Sequence, residues 1–199
     1  MIRTPVALIP YIVLMAVLIG AFLWQRGDEL SAPQVTVSGT AEVGGPFGLI
    51  DQTGTPKSDK DFRGKYLLVY FGYTYCPDVC PLTLGVMDDA LAKLPPDSRH
   101  AIVPIFITVD PARDTPAALK TYLQGFSKGW VGLTGDAASI ANVAKEYRVY
   151  YAKQTLPGGG YALNHSSVIY LMGPAGGFVA NYDESIGPNA LADDLKKRV

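Results

Sequence analysis

One stretch limits the fold of this chain more than any other. Residues 65–73 read KYLLVYFGY, a short, nearly continuous apolar run rich in aromatics. That is the pattern of a strand buried on both faces. The run stops at the turn Cys76-Pro77-Asp78-Val79-Cys80-Pro81, and a helical spacing starts there: Val79, Leu82, Val86, Ala90, Leu91 and Leu94 repeat along residues 78–94. Pro95-Pro96 ends the predicted helix.

The rest of the chain alternates in the same way. A strand is predicted at 47–54, closing on a turn at Gly54, and a shorter one at 34–38. Residues 101–109 (AIVPIFITV) give a second buried strand. Thr115 is a candidate N-cap and Pro116 fits the first position of a helix reaching about Gly125. A strand at 130–134 and a helix at 136–147 follow. Segments 166–172 and 177–182 form a hairpin around Gly173-Pro174-Ala175-Gly176. A last helix starts near Asn189 and ends in Lys196, Lys197 and Arg198, cations that suit its C-terminal dipole. The stretch around Gly158-Gly159-Gly160 reads as a mobile loop. The expected order is a leading strand pair and then β-α-β-α-β-α-β-β-α. That is an α/β chain with a mixed, mainly parallel sheet and flanking helices, the thioredoxin layout with an insertion.

The N-terminus has a different character. Residues 5–24 (PVALIPYIVLMAVLIGAFLW) carry no charge. At about 1.5 Å per residue they reach about 30 Å, the thickness of a bilayer's hydrocarbon core. Trp24 fits the interface, and Arg3 and Arg26 bracket the run. The run is longer than a signal-peptide core and no A-x-A site follows, so an uncleaved single-pass anchor over 1–26 is expected. The charge bias places the N-terminus in the cytoplasm and the domain outside. Residues 27–45 read as a tether and 46–199 as the working domain.

A formal net charge of -1, with no basic stripe, excludes an electrostatic case for nucleic acid as a partner. The chain has two cysteines and two histidines. Cys76 and Cys80 lie one helical turn apart, at the end of the central strand and the start of a helix whose dipole favours thiolate. So short a loop gives a disulfide little structural value. His100 follows Asp97-Ser98-Arg99 in a polar turn and reads as solvated. His165 precedes the strand that a thioredoxin layout sets beside the cysteine turn, where it is either a ligand or a capping group. Two thiolates and one imidazole make a soft three-coordinate set, open to copper(I) and to zinc completed by water.

Three motifs carry a resemblance. They are Phe71-Gly72-Tyr73-Thr74-Tyr75-Cys76-Pro77-Asp78-Val79-Cys80-Pro81, Val109-Asp110-Pro111-Ala112-Arg113-Asp114-Thr115-Pro116, and Asn164-His165-Ser166. With them the chain resembles the Sco/SenC family of copper-binding assembly factors for cytochrome c oxidase. The resemblance implies that Cys76, Cys80 and His165 bind copper, Cu(I) first and Cu(II) as a further state, and help load the dinuclear copper site of oxidase subunit II. It also implies a thiol-reductase role for Cys76 and Cys80 on that subunit's cysteines. A copper donor protein, a thiol reductant and a membrane become further partners. The location implied is a bacterial or mitochondrial inner membrane, with the domain in the periplasm or intermembrane space.

Asp110 looks like the family's acidic residue near the copper; the other reading is a loop or cap residue. Asp78 and Asp114 read as solvated or capping carboxylates. Many family members carry a His where this chain has Tyr75, which leaves one fewer candidate ligand. The alternative function is a membrane-anchored thiol–disulfide oxidoreductase acting on oxidase subunit II or other extracytoplasmic proteins. Against it stand the C-x3-C spacing and the pair Asn164-His165 where thioredoxins carry a cis-proline. A peroxiredoxin-like peroxidase would need a Thr/Pro setting and an Arg beside its reactive cysteine; Thr74 is nearby, but no Arg is.

Overall fold

The structure is a computed structural model that describes Met15 and residues 43–199. The anchor, most of the tether and the strand expected at 34–38 lie outside the described residues. No helix among the described residues is long and apolar enough to cross a membrane.

The apolar run becomes β3 (Tyr66–Gly72), buried at every position after the first. It pairs in parallel with β4 (Ile102–Thr108), from Tyr66 opposite Ile102 to Gly72 opposite Thr108. Around this pair stand β1 (Gly48–Asp51), β2 (Pro56–Ser58), β5 (Val131–Thr134), β8 (Val168–Met172) and β9 (Phe178–Asp183). The seven-stranded order is β2-β1-β5-β4-β3-β8-β9. The helices are α1 (Val79–Ala92), α2 (Pro96–Ala101), α3 (Pro116–Leu123), α4 (Ala137–Glu146) and α5 (Pro188–Arg198). Helices α1 and α5 pack together, α3 lies on β5 and α4 on β1. Covered in this way, β3 and β4 can be apolar throughout.

Local chemistry fixes the boundaries. Thr115 caps α3 by accepting from the Ala118 N–H at 3.2 Å, with Pro116 at the first position. Asp136 caps α4 through the Ser139 N–H at 2.6 Å. Asp51 accepts from the Thr53 and Thr55 N–H groups and folds the turn between β1 and β2, where Gly54 takes a φ of 85°.

Three expectations change. The sheet is mixed rather than mainly parallel: only β3, β4 and β5 pair in parallel, because hairpins supply both sides. The helix does end ahead of Pro95-Pro96, at Ala92, but Pro96 then starts α2, in which exposed His100 is helical rather than in a turn. The glycine stretch is the turn of a further hairpin, β6 (Tyr151–Thr155) and β7 (Tyr161–His165), paired from Tyr151 opposite His165 to Thr155 opposite Tyr161. Gly158, Gly159 and Gly160 take φ values of 93°, 99° and 79°, which only glycine adopts at little cost.

Candidate metal centre

Strand β3 ends at Gly72, and the chain leaves the sheet for a short loop before α1 begins at Val79. Cys76 lies in that loop and Cys80 in the first turn of α1. A helix start leaves N–H groups without partners. Here the Cys80 N–H donates to Cys76 Sγ at 3.4 Å, and Pro81 has no N–H to satisfy. One sulfur thus takes the place of an N-cap side chain.

His165 arrives from the far end of β7. Its Nε2 stands 3.4 Å from Cys80 Sγ. Its Nδ1 lies 3.0 Å from the Ser166 carbonyl oxygen. A carbonyl only accepts, so Nδ1 carries the proton and Nε2 keeps its lone pair toward the sulfurs. Two ring edges hold the imidazole: Tyr70 at 6.1 Å between centroids and Tyr73 at 5.8 Å, both near perpendicular. The ligand atoms of Cys76, Cys80 and His165 all lie within 4.8 Å of one another. Among the described residues no other His, Cys, Asp or Glu joins this group.

Both cysteines are free thiols, and they are not equivalent. Cys80 is buried and Cys76 half-buried. The hydrogen bond from Cys80 holds the Cys76 thiol well below its ordinary value, with His165 and the N–H groups of Asp78 and Cys80 adding to the effect against a burial cost. Cys80 moves the other way, pushed up first by Cys76 and then by burial. The pair loses its first proton more readily than a free thiol, and the charge favours the more exposed Cys76.

Several residues that make the site possible carry no such signal in the sequence. Asp114 is fully buried, not solvated. Its carboxylate accepts from the Thr74 N–H at 2.9 Å, the Thr74 hydroxyl at 2.6 Å and the Thr108 hydroxyl at 2.6 Å. It thereby ties the cysteine loop to the end of β4. Asp78 does occupy the N-cap position of α1, but its side chain makes no cap bond. A Cβ at Gly72 would come within 2.9 Å of Cys80 Sγ and 2.9 Å of the Phe106 ring, so only glycine lets the helix start so close to the strand.

Asp110 is also buried, and its carboxylate faces Arg113 and Tyr161. It forms an ion pair with Arg113 Nε and accepts from the Tyr161 hydroxyl at 2.8 Å. Arg113 donates to the Tyr161 carbonyl at 3.1 Å and stacks 3.8 Å from that ring and 4.7 Å from the Tyr75 ring. Asp110 and Arg113 thus brace the hairpin that carries His165 against the loop that carries Cys76. Arg113 is the arginine beside the cysteine loop that sequence proximity alone could not supply. Tyr75 is 64% exposed.

A thioredoxin-like α/β domain with a soft Cys-Cys-His group at the end of its central strand is the class defined so far. The sequence model of SCO1/SenC matches residues 35–199, and the chain belongs to that family. The mitochondrial protein SCO1 homolog 1 of Arabidopsis thaliana is 40% identical over 172 residues, 86% of this chain and 52% of the relative. The chain spans about half the length of such mitochondrial relatives. The structure of Bradyrhizobium japonicum ScoI with copper bound matches with a TM-score of 0.73 and 43% identity, over 79% of this chain and 99% of that one. BsSco, described for a disulfide switch as a member of the Sco family of cytochrome c oxidase assembly proteins, matches with a TM-score of 0.63 and 26% identity, over 81% of this chain and 96% of its own. Solved relatives hold copper, and this chain has a Cys-Cys-His group suited to it.

Proposed function

We propose that this chain is a copper metallochaperone that binds one copper ion through Cys76, Cys80 and His165 and delivers it to the dinuclear copper site of cytochrome c oxidase subunit II. One observation carries the reading: two sulfurs and an imidazole nitrogen, drawn from three different segments, converge within 4.8 Å. Thiolate and imidazole are ligands that suit copper(I), and three of them leave the ion open to an incoming ligand from an acceptor. Cys76, the half-buried sulfur, is the one an acceptor can reach. The uncharged run at 5–24 supports a membrane-anchored protein working in the periplasm or intermembrane space, supplied by a copper donor and kept reduced by a thiol reductant.

The asymmetry of the thiols favours a second reading, a reductase for the cysteines of subunit II. Cys76 as thiolate attacks a disulfide sulfur of the substrate; Cys80 then displaces the substrate thiol, leaving a Cys76–Cys80 disulfide and two substrate thiols. One experiment separates the two. Cu(I)-loaded chain and copper-free reduced chain are each mixed with the copper-free domain of subunit II, once reduced and once oxidised. Delivery predicts that two equivalents of the loaded chain leave two copper ions on the reduced acceptor, read by metal analysis after the two proteins are separated. Copper that stays on this chain, together with thiols appearing on the oxidised acceptor, favours the reductase.

A further inference from the structure

We propose that the hydroxyl of Tyr70 donates a hydrogen bond to Sγ of Cys80 when that sulfur is a copper-bound thiolate, and is the positioning residue that sets how firmly the buried sulfur holds the ion. The inference rests on the reading of the site as a copper site.

Tyr70 is completely buried in β3, two residues before the strand ends. A buried phenol normally has a hydrogen-bond partner for its hydroxyl. No group among the described residues stands in good hydrogen-bond geometry to the Tyr70 hydroxyl, although Thr83, Ser167 and Cys80 lie around it. Packing alone would be served as well by phenylalanine, so the polar atom calls for an explanation.

Its surroundings give one. The space at Gly72 where a side chain would stand is bounded by Tyr70 Cε1 at 3.1 Å and by Cys80 Sγ at 2.9 Å. The ring carbon next to the one bearing the hydroxyl therefore stands across a small gap from the sulfur. The same ring is edge-on to His165. A phenol hydroxyl keeps its proton at neutral pH and can donate it in a hydrogen bond. Thr83 and Ser167 face the Tyr70 hydroxyl as well. The Thr83 hydroxyl already gives its own proton to the Val79 carbonyl at 2.9 Å. Once a metal replaces the Cys80 proton, which leaves to solvent, the sulfur is the anionic acceptor among the groups that face this hydroxyl.

Chemistry follows from that geometry. A thiolate buried this deeply lacks water to stabilise it. A donor aimed at it offsets the cost and withdraws electron density from the sulfur. Replacing Tyr70 by Phe removes the donor and keeps the ring that packs on His165.

The test compares wild type, Tyr70→Phe and Tyr122→Phe in the full reduced chain. Tyr122 carries the same kind of buried, unpartnered hydroxyl, on a ring packed against Phe106 and Phe126. Copper(I) affinity is read by competition with a chelator, the sulfur-to-Cu(II) charge-transfer band by absorption, and stability of the copper-free protein by urea unfolding. Tyr70→Phe is expected to weaken copper(I) binding about tenfold, as loss of a hydrogen bond to a charged group does. The band is expected at lower energy, with copper-free stability unchanged or higher. Tyr122→Phe is expected to move neither affinity nor band. Equal affinity and an unmoved band in Tyr70→Phe would overturn the proposal while wild-type binding kept the copper reading. An effect matched by Tyr122→Phe, or explained by lost stability with an unmoved band, would also overturn it. If wild type takes up no copper, the copper reading fails and the inference with it.

Discussion

Asp114→Ala is expected to destabilise the copper-free domain by about 3–5 kcal/mol in urea unfolding, because it leaves three donors without an acceptor. Those donors are the Thr74 N–H, the Thr74 hydroxyl and the Thr108 hydroxyl. Thr108 also accepts from the Asp110 N–H at 2.8 Å, so the loss spreads to the second loop of the site. Against a total stability of about 5–15 kcal/mol, that is a large fraction. Asp114→Asn should cost far less. Its carbonyl can keep the two bonds made by one carboxylate oxygen, and the Thr74 hydroxyl can turn to accept from the new amide. The amide also carries no charge, and burial already disfavours charge here: it is the leading influence pushing the Asp114 carboxyl up. A loss below about 0.5 kcal/mol for Asp114→Ala, the size typical of a surface change, would mean that this carboxylate does not hold the cysteine loop.

Oxidation of Cys76 and Cys80 to a disulfide is expected to weaken copper binding by at least about a thousandfold, equivalent to about 4 kcal/mol. A disulfide consumes both thiolates and leaves His165 as the only member of the group. The effect should reverse on reduction. The check is chelator competition on the same sample before oxidation, after it, and after treatment with dithiothreitol. Equal affinity in the oxidised state would place the copper elsewhere.

The site was legible in the sequence where chemistry depends on residue type and short spacing. Two cysteines one turn apart, directly behind an apolar strand, fix where α1 starts and which end of the sheet is reactive. His165 was legible because only two histidines exist and one of them precedes a strand. What stayed hidden depends on contacts across the fold. Asp114 and Thr74 are 40 positions apart, and nothing local distinguishes Asp114 from a capping carboxylate. Asp110 reads from the sequence as an acidic group near a metal or as a loop or cap residue, and its partners Arg113 and Tyr161, the latter 51 positions away, are visible only in the fold. The β6–β7 hairpin escaped because it is largely exposed and mixes Lys, Gln, Thr and Asn with its apolar residues, so neither face shows a period of two. Its three turn glycines look like flexibility in a sequence; in the fold they return the chain so that His165 pairs opposite Tyr151.

The balance of the sheet has a similar origin. Apolar runs at β3 and β4 predict buried parallel strands, and the two pair in that way. The outer pairs β1–β2 and β8–β9 are joined by a few residues and are therefore hairpins, and β1 and β8 also run against β5 and β3, so both sides of the sheet are antiparallel. That arrangement leaves the C-terminal end of β3 facing the end of β7, where the sulfurs meet the imidazole.

The central claim is that one copper ion sits between Cys76, Cys80 and His165. The most direct measurement is titration of the reduced chain with copper(I), followed by X-ray absorption at the copper edge, in wild type and in His165→Ala. The account predicts saturation at one copper per chain, two sulfur neighbours and one nitrogen neighbour, and loss of the nitrogen with weaker binding in the variant. A spectrum and affinity unchanged by His165→Ala would contradict it.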